Sequence, residues 1–483
     1  MSGLFGAVSQ KDCVKTLFYG IDYHSHLGTE YGGMVVLGDD FERHIRSISK
    51  SQFKSKFFDD YKVLKGNKGI GVISDCDAQP IYLHSKFGPY CIVTSGLIEN
   101  KKELEEFLFS KGISFSEVSS AGVNMTELVA KLVSLGDNIV DGIEKMFEMI
   151  EGSCSLLILT KEGIYAARDR LGYTPLVIGN KEDEWVVASE SNSFSNFGYK
   201  LKKFLMPGEI ILINEDGMSV KKEGTEDSQI CSFLWIYTGF PAAYYEGINV
   251  ETVREKCGRA LARKDKDIEA DVVSGVPDSG TAHAIGYAME SGVPYRRPLI
   301  KYTPGYGRSY TPPSQETRDL VATMKLIAID DIIKGNRLIV CDDSIVRGTQ
   351  LKNYLVKKLE NAGAKEIHVR PACPPLMFPC KFCLSTRSIN ELAARKAIKA
   401  IEGKDIDDIS EYLNAKSEKH KKMVDWIEKD LGVTTLRFQD IEDMVEAIGL
   451  PREKLCLYCW NGESPSKKEK QNAKVNKEPC LTK

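Results

Sequence analysis

The chain has 483 residues, with 65 Lys+Arg against 68 Asp+Glu, a formal net charge of −3, and 42% apolar and 28% charged residues. That balance gives no reason to expect nucleic acid or an anionic membrane as partner, and the length gives two or three domains with cores of their own. There is no run of about 18 apolar residues, and the opening MSGLFGAVSQ lacks the basic region of a secretory signal, so a cytoplasmic protein is expected.

In the first half, short apolar stretches predict strands at 69–73, 90–93, 155–159, 185–188 and 209–213. Helical patterns fall between them at 102–110 and 126–135. This reads as an α/β or α+β domain with substantial antiparallel sheet. From 229 onward the pattern changes to βαβ units. Strands are predicted at 270–274, 299–301, 337–341 and 366–370, and helices at 250–263, 281–291, 349–362 and 389–402. Strands alternating with helices imply a doubly wound parallel sheet, with ligands beyond the carboxyl ends of its strands.

Arg337–Thr349, RLIVCDDSIVRGT, carries the strongest chemical signal. An apolar strand delivers Asp342 and Asp343, then Ser344, Ile345, Val346, Arg347, Gly348 and Thr349, to a helix start. Backbone N–H groups there suit a phosphate, and paired carboxylates suit ribose hydroxyls, directly or through Mg²⁺. Upstream, Val276-Pro277-Asp278-Ser279-Gly280 also joins a strand to a helix. Residues 305–315, GYGRSYTPPSQ, place Gly and Pro around basic and aromatic side chains, as in a lid that orders on a phosphate. Two C-x-x-C pairs, Cys380/Cys383 and Cys456/Cys459, read by spacing alone as a tetrahedral zinc site. Residues 463–483 are lysine-rich and read as a disordered tail.

In collinear order these segments resemble the amidophosphoribosyltransferase (glutamine phosphoribosylpyrophosphate amidotransferase) family over nearly the whole chain. SGLFGAV at the start, AARDRLGYTPLVIG, VASES at 187–191 and PGEI at 207–210 carry the likeness in the first half. The resemblance implies an N-terminal-nucleophile αββα sandwich over 1–228 and a type I phosphoribosyltransferase domain over 229–462. Phosphoribosylpyrophosphate (PRPP) would be bound by Asp278, Ser279, Gly280, Lys301, Arg308, Tyr310, Gln315 and the 344–349 loop. Mg²⁺ would be held by Ser279, Asp342 and Asp343. A 4Fe–4S cluster would be held by Cys231, Cys380, Cys456 and Cys459, with Cys383 extra; zinc on the two C-x-x-C pairs stays open as the alternative. Homo-oligomers and inhibition by purine nucleotides would also follow.

The first half departs from the family where glutamine would bind. The N-terminal nucleophile is a cysteine in the family and Ser2 here. HRGQDSAG reads His26-Leu27-Gly28-Thr29-Glu30-Tyr31-Gly32-Gly33, without the arginine. HxRYST is shortened to Val72-Ile73-Ser74-Asp75, HNGN reads Thr94-Ser95-Gly96-Leu97, and the aspartate before Thr126-Glu127 is Met125. YFARPDS, which joins the two active sites in the family, reads 237–243, YTGFPAA. The expectation is a transferase that puts ammonia or another amine on C1 of PRPP, beside an inactive glutaminase. A PRPP- or nucleotide-sensing pseudoenzyme, or a different amine acceptor, are the alternatives.

Overall fold

Gly3–Val8 is buried along its whole length, because it lies inside a sheet covered on both faces. In the computed structural model, which describes residues 2–119, 122–302, 324, 326–349, 351–382 and 388–464, this strand is central in a seven-stranded antiparallel sheet. It pairs with Lys68–Ser74 on one side and Glu184–Ala188 on the other. A six-stranded antiparallel sheet, centred on Ile164–Ala167 and Gly152–Leu159, packs against the first. Leu4, Val35, Ile70, Val72, Val93, Leu157 and Ile211 form the core between the sheets. The outer faces are covered by Val14–Asp22 and Phe53–Val63 on one sheet and by Lys101–Ser110, Met125–Val133 and Ile139–Met149 on the other. This is the expected αββα sandwich.

The chain divides into two compact units, the first built principally of Met1–Val253 and the second of Arg254–Lys301, Leu326–Cys380 and Thr386–Lys483. The division therefore falls later than 228/229, inside the helix Val250–Lys264. The reason lies in how residues 240–246 pack. The Tyr245 hydroxyl donates to Glu190 at 2.5 Å, the Tyr244 N–H donates to Ser191 Oγ at 3.1 Å, and Glu246 pairs with buried Arg168 at 2.8 Å.

The second unit holds a four-stranded parallel sheet in the order Val272–Gly275, Arg337–Asp342, Glu366–Pro371, Thr435–Leu436. Leu338, Ile339, Val340 and Cys341 are fully buried, as a strand covered on both faces requires. Two expected helices differ. Residues after Thr349 open as a π-helical stretch, Leu351–Val356, before Lys357–Asn361 turns α-helical. The 389–402 helix is split, because Leu392 takes an extended conformation between a short 3₁₀ turn and the helix Ala393–Glu402. No helix among the described residues is long and apolar enough to cross a membrane.

Candidate active site

The ends of two neighbouring parallel strands build the transferase-like site. Gly275 and Cys341 are in register, and the Val276 N–H donates to the Cys341 carbonyl at 2.9 Å. The 276–280 loop therefore sits directly beside Asp342. Gly280 N–H returns to Val276 O at 2.8 Å, closing the loop onto the helix Thr281–Ser291. The Ser279 hydroxyl hydrogen-bonds the Asp342 carboxylate. The Asp343 N–H donates to Asp342 Oδ1 at 2.9 Å, and Ser344 Oγ donates to Asp343 Oδ2 at 2.6 Å. Burial of this strand end pushes the Asp342 carboxyl well above the usual carboxylate range, and the charge of Asp343 adds to the rise. Two crowded acids with a hydroxyl between them form a hard oxygen donor set, which fits a divalent cation such as Mg²⁺.

Lys301 reaches across to Asp278, with Nζ 2.6 Å from Oδ2. A cavity of about 280 Å³ opens over this loop, lined by Pro277, Asp278, Thr281, Tyr295 and Arg297 among others. Tyr295 and Arg297 were not among the expected site residues. The basic pair Arg296-Arg297 just before the 299–301 strand was the signal that could have pointed to them. In the 344–349 loop, Gly348 adopts a left-handed conformation (φ +75°), and its carbonyl accepts from the Lys352 N–H at 2.9 Å. Arg308, Tyr310 and Gln315 lie outside the described residues.

The structure brings Ser2, Leu27, Ser74, Thr94, Ser95 and Met125 into one neighbourhood of the first unit. Ser2 is buried, and Ser95 Oγ donates to its carbonyl at 2.7 Å. Leu27, Ser74, Thr94 and Ser95 are buried, and Met125 opens the helix Met125–Val133. One carboxylate does approach. Asp77 Oδ2 accepts the Met125 N–H at 3.1 Å. Leu27 and Ser74 carry no charge.

Nearby, Glu190 is buried against His26 Nε2 at 2.9 Å and the Tyr245 hydroxyl at 2.5 Å. Burial opposes its charge, yet His26, His24 and Tyr245 hold its carboxyl below the usual range. His24 is fully buried, with Nδ1–H donating to Gly20 O at 2.8 Å and Nε2 accepting from the Glu190 N–H at 3.2 Å. Burial pushes its pKa down to about 4. Between about pH 6.5, where an unfolded histidine titrates, and pH 4, the unfolded chain binds the extra proton, so stability falls as pH drops through that window. The depressed Glu190 carboxyl adds a loss in the same direction at lower pH. Thermal melts followed by circular dichroism should therefore show the first unit losing stability from about pH 6.5 to 4, and His24→Asn should flatten that slope.

Of the cysteines, Cys380, Cys456 and Cys459 are buried in the second unit. Met377 and Phe378 N–H groups donate to the Cys459 carbonyl at 2.9 and 3.1 Å, which brings the segment leading to Cys380 beside Cys459. Cys231 is buried and belongs to the first unit, and Cys383 lies outside the described residues. Thiolate donors of this kind suit an iron–sulfur cluster or zinc. Among the described residues no group of three or more His, Cys, Asp or Glu is gathered closely enough to hold a single metal ion.

A model of the glutamine amidotransferase domain matches residues 69–196. The amidophosphoribosyltransferase of Bacillus subtilis is 31% identical over 96% of this chain and 94% of its own length. That of Methanocaldococcus jannaschii is also 31% identical, over 96% and 98%. Among solved structures, glutamine phosphoribosylpyrophosphate amidotransferase from B. subtilis, complexed with ADP and GMP, aligns with a TM-score of 0.81 at 30% identity, covering 96% of this chain and 97% of that one.

Proposed function

The chain belongs to the amidophosphoribosyltransferase family, a family of phosphoribosyltransferases, and from that premise we propose that it transfers ammonia to C1 of PRPP, releasing pyrophosphate and giving 5-phosphoribosylamine, without an active glutaminase. The observation that carries this reading is the contrast between the two units. The second brings Asp342 and Asp343 beside the 276–280 loop, with Lys301 on Asp278, whereas the first has Val72-Ile73-Ser74-Asp75 where a substrate carboxylate would need a cation.

In the transferase site, Asp342 and Asp343 hold the ribose hydroxyls, and the N–H groups of loop 344–349 hold the 5′-phosphate. The 276–280 loop and Lys301 receive the pyrophosphate, so Lys301 exchanges its partner Asp278 for the ligand. Charge then develops on the leaving oxygen within reach of fixed donors, where electrostatic stabilisation is strongest. Mg²⁺, held by Ser279, Asp342 and Asp343, would supply positive charge to the pyrophosphate when bound. Ammonia completes the reaction by attacking C1 as the pyrophosphate departs. Arg308, Tyr310 and Gln315 complete the set as a lid over PRPP.

In the first unit, an unpaired substrate carboxylate in a closed pocket costs about 1–3 kcal/mol or more, and loss of an oxyanion donor at Ser95 removes about 10²–10³ in rate. The nucleophile itself is the lesser change, because a hydroxyl with an α-amine base is workable chemistry. The test follows nitrogen-15 into the product. Label from ammonium is incorporated, and label from the glutamine amide is not, in the natural protein and equally in Ser2→Cys. Incorporation from glutamine in either protein would overturn the reading.

An iron–sulfur cluster, or zinc in its place, is carried over with the family, and iron against zinc content separates the two. Homo-oligomerisation and inhibition by purine nucleotides are carried over with the family.

A further inference from the structure

One wall of the cavity over the 276–280 loop comes from Tyr295 and Arg297, which lie outside every segment that carries the family likeness. Residues 294–296 run alongside the strand Val272–Gly275 as a short extra parallel edge, with Tyr295 paired to Val273. The Val273 N–H donates to the Pro294 carbonyl at 3.0 Å, and the Arg296 N–H donates to the Val273 carbonyl at 2.9 Å. Just beyond, the Pro298 carbonyl accepts the Ile329 N–H at 2.8 Å, and Leu299 is buried. The backbone of Arg297 is therefore pinned on both sides, and its side chain lines the cavity together with Asp278 and Thr281.

The charges around the cavity do not cancel. Lys301 Nζ lies 2.6 Å from Asp278 Oδ2, so that pair is neutral as a whole. Arg297 is exposed and has no acidic partner among the described residues. One guanidinium is thus left over, beside the Thr281 and Tyr295 hydroxyls. Pyrophosphate carries charge on both of its phosphates. Lys301 and the loop N–H groups meet one of them, and a second cation in the same cavity is what the other requires. A guanidinium suits that place, because its planar fork matches two oxygens of one phosphate, whereas an ammonium is a point charge.

We propose that Arg297 is a pyrophosphate-binding residue, whose guanidinium takes the phosphate of the leaving group that Lys301 does not. This rests on the reading that the 276–280 loop receives pyrophosphate, and it adds to that loop a cation supplied by the edge of the sheet.

The test is calorimetric titration of the full-length protein, with Mg²⁺ present, by inorganic pyrophosphate and separately by ribose 5-phosphate. Arg297→Ala should weaken pyrophosphate binding by about tenfold or more, the worth of one charge-assisted fork, and leave ribose 5-phosphate unchanged. Arg297→Lys should recover only part of the loss, because it restores the charge without the fork. Arg296→Ala removes an equally exposed arginine that does not line the cavity, and should change neither ligand. Pyrophosphate binding that is absent, unchanged in Arg297→Ala, or lowered equally in Arg296→Ala would overturn the proposal. An equal loss of ribose 5-phosphate binding in Arg297→Ala would overturn it too, by making Arg297 a structural residue. Arg297-dependent pyrophosphate binding in a protein without ammonium-dependent turnover would uphold the site while overturning the transferase reading.

Discussion

Replacing Asp342 and Asp343 together by asparagine should lower ammonium-dependent pyrophosphate release by about 10³-fold or more, and leave the chain folded. The two carboxylates act as one unit: they are adjacent, and the Asp343 N–H links them through Asp342 Oδ1. Asparagine keeps the shape and can still accept from the Ser344 hydroxyl that now donates to Asp343. It removes the charge that ribose hydroxyls and a divalent cation would use. Folding should not suffer. Asp342 is an acid held in an unfavourable place, crowded by burial and by Asp343, so neutral amides relieve repulsion. The melting temperature of the double variant should equal or exceed that of the natural protein. A loss of activity accompanied by a large fall in melting temperature would mean that the pair is structural.

Gly280→Ala should raise the KM for PRPP by about 10²-fold, because misplacing the groups that position a substrate by about 1 Å has that effect. Space rather than backbone freedom decides the effect, since Gly280 has φ −78°. A Cβ would be driven into the Cys341 carbonyl oxygen and stand 2.7 Å from the Val276 nitrogen, both of them backbone. Neither atom belongs to a side chain that could swing away. The loop must move off the strand end, and with it Ser279, which bonds Asp342. Gly292 supplies the control. It has φ +74° and open space around it. Alanine there costs about 1 kcal/mol of stability and should leave the KM unchanged. Equal effects from the two variants would show that Gly280 matters only for stability.

The transferase half was readable because its chemistry sits at places that sequence marks well. An apolar run followed by Asp342-Asp343 and Gly348 is a strand end followed by a tight loop, and the structure puts the 276–280 loop beside it through one hydrogen bond, Val276 N–H to Cys341 O. The sandwich was readable from short alternating strands, because each buries one face against the other sheet and one against helices. The unit boundary was less visible. It is set by long-range partners of Glu190 and Arg168, which no local pattern encodes. The π-helical opening at Leu351–Val356 was missed for a similar reason: its apolar spacing matches an α-helix over so short a stretch.

We propose a working transferase joined to a glutaminase that has lost its substrate pocket. The most direct test is pyrophosphate release from PRPP by anaerobically purified protein with Mg²⁺, run with ammonium chloride and separately with glutamine. Release that depends on ammonium, with glutamine at background, is the predicted result. Glutamine-dependent release would contradict the lost pocket and make Ser2 a working nucleophile. Release with neither would contradict the transferase and point instead to a protein that binds PRPP without turning it over.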